Sequence, residues 1–206
     1  MKIIRCIPIL FLLLFLQSGA QDVRCDSLRR VLRSTKIDTA KVNVYNKLAD
    51  VFKESNPDST IFYAKRASAL SLATGYDFGA GNAEINQGNA QIILGDYKSA
   101  LSHFKKAQSY YEKAMTDDDG NRMIKNGLAR AYASAGVVFS EQSNYYMALE
   151  HYQKALKLYR EIGQKQNISK AYNNIGIVYK SQQNSKKALE YFKKAYNIQE
   201  EIGEQA

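Results

Sequence analysis

The residues best suited to acid–base or metal chemistry in this 206-residue chain are its histidines, of which the sequence contains two. His103 and His151 each precede an aromatic residue, Phe104 and Tyr152, within similar local sequences. No Cys/His cluster with metal-ligand spacing accompanies them, and no nucleophile has an identifiable base beside it. Repetition of one scaffold position explains both histidines better than metal binding does. We therefore expect a protein that is not an enzyme and that uses no metal or cofactor.

A run of three aspartates in the segment Thr116–Arg122 (TDDDGNR) is a second candidate for metal chemistry. A calcium loop places its acidic ligands at alternating positions, and adjacent aspartates do not have that spacing. We therefore interpret the segment as a solvated loop that caps the next helix.

The chain repeats one pattern four times, and each repeat has a small residue at the same position. These residues, separated by 39, 48 and 40 positions, are Ala49, Gly88, Gly136 and Gly176. Self-similarity at such a period is typical of a solenoid of stacked repeats.

Each repeat has the periodicity of two helices joined by a tight turn. In the last repeat a polar break at residues 182–184 separates two apolar stripes, which consist of Tyr172, Ile175, Gly176 and Tyr179 and then of Ala188, Leu189, Phe192 and Ala195. A glycine inside a helix costs about 1 kcal/mol relative to alanine. We therefore expect Gly176 to mark a close approach between two antiparallel helices.

These positions resemble the tetratricopeptide repeat family, over about residues 40–202. The matching residues are Tyr172, Ile175, Gly176, Tyr179, Ala188, Phe192 and Ala195 in the last repeat, Tyr132, Ala135, Gly136, Phe139, Ala148, Tyr152 and Ala155 in the third, Gly88, Ala100, Phe104 and Ala107 in the second, and Tyr45, Leu48, Ala49, Phe52, Ala64 and Ala67 in the first. The resemblance implies an all-α fold, a right-handed α-solenoid of antiparallel helix pairs. The period near 40 exceeds the usual 34 and looks like repeats of exported bacterial signalling proteins.

The predicted domain organisation begins with a signal peptide at 1–20 and an N-terminal capping helix at 21–39. The solenoid follows at 40–206, with repeats at about 40–77, 78–120, 121–165 and 166–206. Leu28, Val31 and Leu32 give the capping helix an apolar stripe with which to cover the first repeat.

The first twenty residues have the layout of a secretory signal peptide. Lys2 and Arg5 precede an apolar run at 7–16, and small residues end at Ala20. We therefore expect export to the periplasm or another extracytoplasmic space, with an uncleaved anchor as the alternative.

The remaining chain carries a net positive charge. Of the 29 basic residues two lie in the first twenty, which leaves 27 basic against 20 acidic residues and a net charge of +7. They are scattered over amphipathic helices, so we expect no nucleic-acid binding by this segment.

Three polar residues of the second repeat depart from the family pattern. Glu84, Gln87 and Gln91 occupy positions at which large apolar side chains are expected. Either that helix packs loosely, or its polar groups find partners.

The last helix keeps the apolar pattern of an internal repeat. Leu189, Tyr196 and Ile198 are expected to face a following unit, although only a few residues remain. An uncovered apolar edge is unfavourable at the end of a solenoid. We therefore expect either that the sequence is part of a longer protein, or that this face docks on a partner.

Stacked helix pairs of this kind form an extended concave surface, lined by the first helix of each pair. The predicted groove residues are Asn43, Asn46, Asp50, Asn82, Asn86, Asn89, Arg130, Ser134, Lys170, Asn173 and Asn174. An asparagine amide can both donate to and accept from a peptide backbone, although these asparagines are also compatible with a merely tolerated polar surface. We expect a non-catalytic scaffold that binds a protein or peptide partner through this surface.

The alternative function is the extracytoplasmic sensor region of a larger signalling protein. The resemblance to the N-terminal repeats of sensor histidine kinases suggests such a kinase, or a DNA-binding regulator. Its catalytic or DNA-binding residues, and any membrane span, would then lie beyond Ala206.

Overall fold

The computed structural model describes residues 23–115 and 122–203, and every regular element in those ranges is an α-helix. A first helix, α1, covers residues 23–34. The helices that follow are α2 (Asp38–Phe52), α3 (Pro57–Thr74), α4 (Asp77–Ile93), α5 (Tyr97–Ala114), α6 (Arg122–Glu141), α7 (Tyr145–Glu161), α8 (Lys165–Ser181) and α9 (Ser185–Gly203). They form four antiparallel pairs, α2–α3, α4–α5, α6–α7 and α8–α9, stacked in chain order. The predicted all-α solenoid of helix pairs is confirmed.

The second helix of every pair begins at an asparagine or aspartate that caps it. The side-chain oxygen accepts a hydrogen bond from the backbone N–H three residues on, at 2.8 Å for Asn56 and 3.0 Å for Asp96. Asn144 and Asn184 cap α7 and α9 in the same way. Such a cap stabilises a helix by about 1 kcal/mol. The polar breaks in the sequence are therefore the places where the second helices start.

The first helices of the four pairs form one continuous row. Each of α4, α6 and α8 contacts the first helix of the preceding pair as well as its second helix. In a stack of helix pairs such a row lines the concave side. The predicted groove residues lie on this row.

Glycine is required where a ring from the second helix lies on the first helix. A Cβ atom at Gly88 would lie 2.5 Å from the ring of Phe104, and one at Gly176 would lie 2.7 Å from the ring of Phe192. Carbon atoms in contact prefer separations of about 3.5–4.0 Å. The expected close approach at Gly176 is confirmed, and the ring that needs the space belongs to the same pair.

Helix α1 packs on the first pair. Cys25 is buried against Val44 and Leu48 of α2, and Arg29 donates to the hydroxyl of Tyr63 in α3 at 3.5 Å. The helix lies within the predicted capping segment and shields part of the first pair from solvent.

The last helix leaves two apolar side chains open to solvent, Leu189 at 56% exposure and Tyr196 at 61%. Ile198 does not face outward with them, contrary to expectation. It packs against the core of the third and fourth pairs. The reason is helical geometry. Side chains two residues apart on an α-helix point in directions that differ by about 200°, so Ile198 lies on the opposite side of the helix from Tyr196.

Two of the sequence interpretations concern residues outside the described ranges. The predicted signal peptide, 1–20, is one, and most of the aspartate segment Thr116–Arg122 is the other. Among the helices of the described ranges, none combines the length and the apolar character needed to cross a membrane.

Candidate peptide-binding groove

The predicted groove residues are divided among three places. One cavity on the concave side, called here the concave cavity, is lined by Asn43, Asn46, Asp50, Asn82, Asn86 and Arg130. A second cavity at the far end of the stack, called here the end groove, is lined by Lys170, Asn173 and Asn174. The other two, Asn89 and Ser134, join α4 to α6 through a hydrogen bond of 3.3 Å.

The concave cavity has a volume of about 550 Å³ and is walled by α2, α4 and α6. It is also lined by residues that sequence reasoning missed, namely Lys47, Lys53, Tyr76, Phe78 and Met123. Lys47 occupies the repeat position that Asn86 has in the second repeat, so the alignment alone could have identified it. Tyr76 and Phe78 lie where α4 begins, outside the repeated stripe, and no sequence pattern points to them.

Two buried asparagines form the inner wall of the concave cavity. Asn46 Nδ2 donates to the carbonyl oxygen of Gly79 at 2.9 Å, and Asn86 Nδ2 donates to the carbonyl oxygen of Asn46 at 3.2 Å. Both bonds join α2 to α4. A buried polar group left without a partner costs about 1–3 kcal/mol. These two amides therefore help to hold the first and second pairs in register.

Tyr111 of α5 orients the amide of Asn82. Its hydroxyl donates to Asn82 Oδ1 at 2.9 Å, while Asn82 Nδ2 donates to the Phe78 carbonyl oxygen at 3.1 Å. The Tyr111 ring fits between α4 and α6 because Cβ atoms at Gly81 and Gly127 would lie only 2.9 and 2.4 Å from it. Burial raises the pKa of the Tyr111 phenol, so the hydroxyl remains a donor at neutral pH.

The rim of the concave cavity carries three cationic side chains and one carboxylate. Lys53 Nζ pairs with Asp50 Oδ1 at 3.1 Å. Lys47 is exposed and Arg130 is half-buried, and neither pairs with a carboxylate of the described residues. The cavity therefore presents an excess of positive charge, which favours a ligand segment that carries carboxylates.

The polar residues of the second repeat lie behind this cavity. Glu84 of α4 is buried, and its Oε2 lies 2.7 Å from His103 Nδ1 of α5. Gln87 donates to the Ala83 carbonyl oxygen at 3.5 Å, the limit for a hydrogen bond. Glu84 and Gln87 thus find partners, as the second of the two alternatives expects for these two residues. No group of three metal-binding side chains gathers around either histidine, or elsewhere in 23–115 and 122–203.

The end groove lies between α8 and α9 and has a volume of about 460 Å³. Helix α9 contributes Phe192, Ala195, Tyr196 and Gln199 to its wall. At its base Ser169 Oγ donates to the Ala195 carbonyl oxygen at 2.9 Å, and Gln199 Nε2 donates to Ser169 Oγ at 3.0 Å. The predicted residues Lys170, Asn173 and Asn174 thus line a site separate from the concave cavity.

Several solved structures have a similar fold. Aspartyl phosphate phosphatase F from Bacillus subtilis is 19% identical, with a TM-score of 0.74 over 92% of this chain and 50% of that one. BtubC from P. vanneervenii is 18% identical, with a TM-score of 0.67 over 91% of this chain and 74% of that one. A Rap protein complexed with Competence and Sporulation Factor is 15% identical, with a TM-score of 0.76 over 89% of this chain and 50% of that one. The chain thus spans about half the length of two of these proteins, and the likeness is one of fold.

Among curated protein sequences, none matches this chain. The family model of the tetratricopeptide repeat matches residues 127–201, which contain most of the third and fourth helix pairs. The first and second pairs lie outside that match but continue the same stack. By its fold, and by the sequence of its last two helix pairs, the chain is similar to tetratricopeptide repeat proteins.

Proposed function

We propose that this protein is a non-catalytic scaffold that holds an extended segment of a protein or peptide partner in the concave cavity. The observation that carries the proposal is the convergence of three successive first helices, α2, α4 and α6, on one cavity with oriented polar groups. Two of its cations, Lys47 and Arg130, pair with no carboxylate in the part of the chain that the structure describes. Stacked helix pairs commonly use such concave surfaces for binding.

The cavity offers a ligand polar, cationic and apolar contacts. Lys47 and Arg130 suit carboxylates, whereas Phe78 and Met123 suit an apolar side chain. Asn43 Oδ1 accepts from the Tyr76 hydroxyl at 3.3 Å, which leaves the Asn43 amide nitrogen to donate to a peptide carbonyl oxygen. These contacts favour an extended segment that combines acidic and bulky apolar residues.

The structural neighbours are compatible with this proposal. The Rap protein that shares the fold was solved with Competence and Sporulation Factor bound. The tetratricopeptide match over residues 127–201 supports a scaffold as well, because stacks of such repeats present extended binding surfaces.

The test uses peptides selected on the purified protein from a displayed random library. Arg130→Ala should weaken the binding of the selected peptides by about tenfold, since a central arginine often dominates binding energy. Lys170→Ala is the matched control, because Lys170 has the same repeat position but lines the end groove. It should leave the affinity unchanged. Thermal unfolding of both variants checks that the stack is intact.

Three outcomes would contradict the proposal. The library could yield no binder, the selected peptides could be insensitive to Arg130→Ala, or both variants could weaken binding equally. A selected pool without acidic residues would contradict the inferred charge preference of the cavity.

We also propose that the chain is exported, on the basis of the apolar leader and the small residues before Gln21. N-terminal sequencing of the protein from the extracytoplasmic fraction should begin at Gln21. Protein that starts at Met1 in the cytoplasm would refute this.

The sensor-region alternative remains a prediction. It is tested by whether the reading frame continues into a membrane span and a kinase or DNA-binding domain.

A further inference from the structure

The end groove corresponds to a position that is filled inside the stack. In the third pair the equivalent surface of Ala129, Ala155 and Tyr159 packs against Ile168 of the next helix, α8. Every internal pair is followed by a first helix seated in this way, since α4, α6 and α8 each pack on the pair before. In the fourth pair no helix of the described ranges occupies this position.

The exposed side chains of α9 are those that a neighbouring helix buries elsewhere. Leu156 of α7 is 7% exposed because it packs in the same cluster as Tyr172 and Ile175 of α8. Its equivalent in the fourth pair is Tyr196, which is 61% exposed beside Leu189 at 56%. The surface is therefore continuous with an established helix–helix interface and suits an apolar helical stripe.

The charges of α9 are complementary to those of a second α9 that runs in the opposite direction. Its first half is basic and its last turns are acidic, with Lys193 and Glu200 seven residues apart on one edge. Lys194 pairs with Glu190 and Glu201 with Lys165, so these charges are satisfied within the chain. Lys193 and Glu200 are both exposed, and Glu200 forms a hydrogen bond with the hydroxyl of Tyr196. Two antiparallel copies of α9 bring each Lys193 towards the Glu200 of the other.

We propose that α9 pairs in antiparallel orientation with α9 of a second copy of this chain, around a twofold axis near Tyr196. Each helix then lies in the end groove of the other copy and buries its Leu189 and Tyr196. A twofold interface is closed, so it produces a dimer and no longer assembly. The concave cavity of each copy, walled by α2, α4 and α6, stays open in this arrangement.

The first experiment measures the mass of the purified protein over a series of concentrations, by sedimentation equilibrium. A reversible monomer–dimer equilibrium is expected. Tyr196→Lys should raise the dissociation constant more than about tenfold, because it places charge at the centre of the interface. Tyr146→Lys is the matched control, since Tyr146 is an even more exposed tyrosine, at 77%, on α7. It should leave the dimer unchanged.

A charge exchange separates the interface from a merely structural role. Lys193→Glu and Glu200→Lys should each weaken the dimer, because each creates like-charge contacts. The double variant restores opposite charges across the twofold axis and should recover the dimer. The proposal is overturned by a protein that stays monomeric at its highest soluble concentration, the result expected if another protein or a following segment occupies the groove. Open-ended oligomers, or a dimer insensitive to all α9 variants, overturn it as well.

Discussion

The second and third helix pairs carry a histidine at the same repeat position and surround it differently. His103 of α5 meets the carboxylate of Glu84 at 2.7 Å. His151 of α7 lies between the rings of Tyr132 and Phe139, with centroid distances of 5.8 and 5.0 Å. Glu84 and Tyr132 themselves occupy equivalent positions of the first helices. One histidine position thus accepts a carboxylate partner or aromatic neighbours, depending on which residues the first helix of the pair places beside it.

The other two pairs follow the aromatic version. Tyr63 stacks on Phe52 at 5.9 Å in the first pair, and Tyr191 stacks on Tyr179 at 5.4 Å in the fourth. The second pair is therefore the exception in this stack. It also lies outside the residues that match the tetratricopeptide model, 127–201.

The largest expected effect is the loss of stability in His103→Phe. The substitution leaves the Glu84 side chain, which is 8% exposed, without its hydrogen-bond partner. Stranding a buried polar or charged group of this kind costs about 2–3 kcal/mol. The free energy of unfolding from urea denaturation should fall by that amount.

His151→Phe is the matched control for this substitution. His151 Nδ1 is buried and has no hydrogen-bond partner among residues 23–115 and 122–203, so phenylalanine removes an unsatisfied group. Stability should stay unchanged or rise by up to about 1 kcal/mol. Equal losses in the two variants would show that the two histidine environments are energetically alike, contrary to the comparison.

A smaller effect is expected for Glu84→Gln. The amide oxygen can still accept a hydrogen bond from His103, so only the charge is removed. The free energy of unfolding should fall by about 1 kcal/mol. A loss as large as that of His103→Phe would mean that the charge of Glu84, and not its hydrogen bond, stabilises the second pair.

Much of the fold was predictable because the repeat period and the apolar stripes are local properties of the sequence. The polar break at residues 182–184 and the close approach at Gly176 belong to this class. The partner of Glu84 was not predictable, because His103 is 19 residues away and meets it only once the register of two antiparallel helices is fixed. For the same reason the sequence did not show that Asn46 and Asn86 bond to neighbouring backbone.

The pH dependence of stability should differ between wild type and His151→Phe. Burial lowers the pKa of His151 in the folded state, and the nearby charge of Lys154 lowers this pKa further. The carboxylate of Glu150 acts in the opposite direction but has a smaller effect. The unfolded chain therefore takes up this proton first, near pH 6.5. The contribution of neutral His151 is fully present above that pH and decreases as the pH falls towards the lower folded pKa.

Urea denaturation at about pH 7.5 and about pH 5.5 measures this difference. The loss of stability on acidification should be smaller in His151→Phe than in wild type. An equal or larger loss in the variant would assign the acid sensitivity to other groups.

The smallest expected effect concerns the turn between the helices of a pair. Gly95 has a φ of +76° in the second pair, and Ser143 has a φ of +57° at the same position of the third. A residue with a Cβ atom is strained there by about 1 kcal/mol. Ser143→Gly should therefore raise the melting temperature slightly, and Gly95→Ser should lower it. Shifts of the same sign would show that the two turns are not equivalent.

The amide bonds in the wall of the concave cavity have a consequence for how such a scaffold diversifies. Asn46 and Asn86 bond to main-chain oxygens, which every residue type supplies, so the register of the first two pairs does not depend on the side chains at the rim. Lys47 and Arg130 can therefore be exchanged without disturbing the stack. Descendants of this chain could acquire new partners through a few rim substitutions while inheriting an unaltered frame.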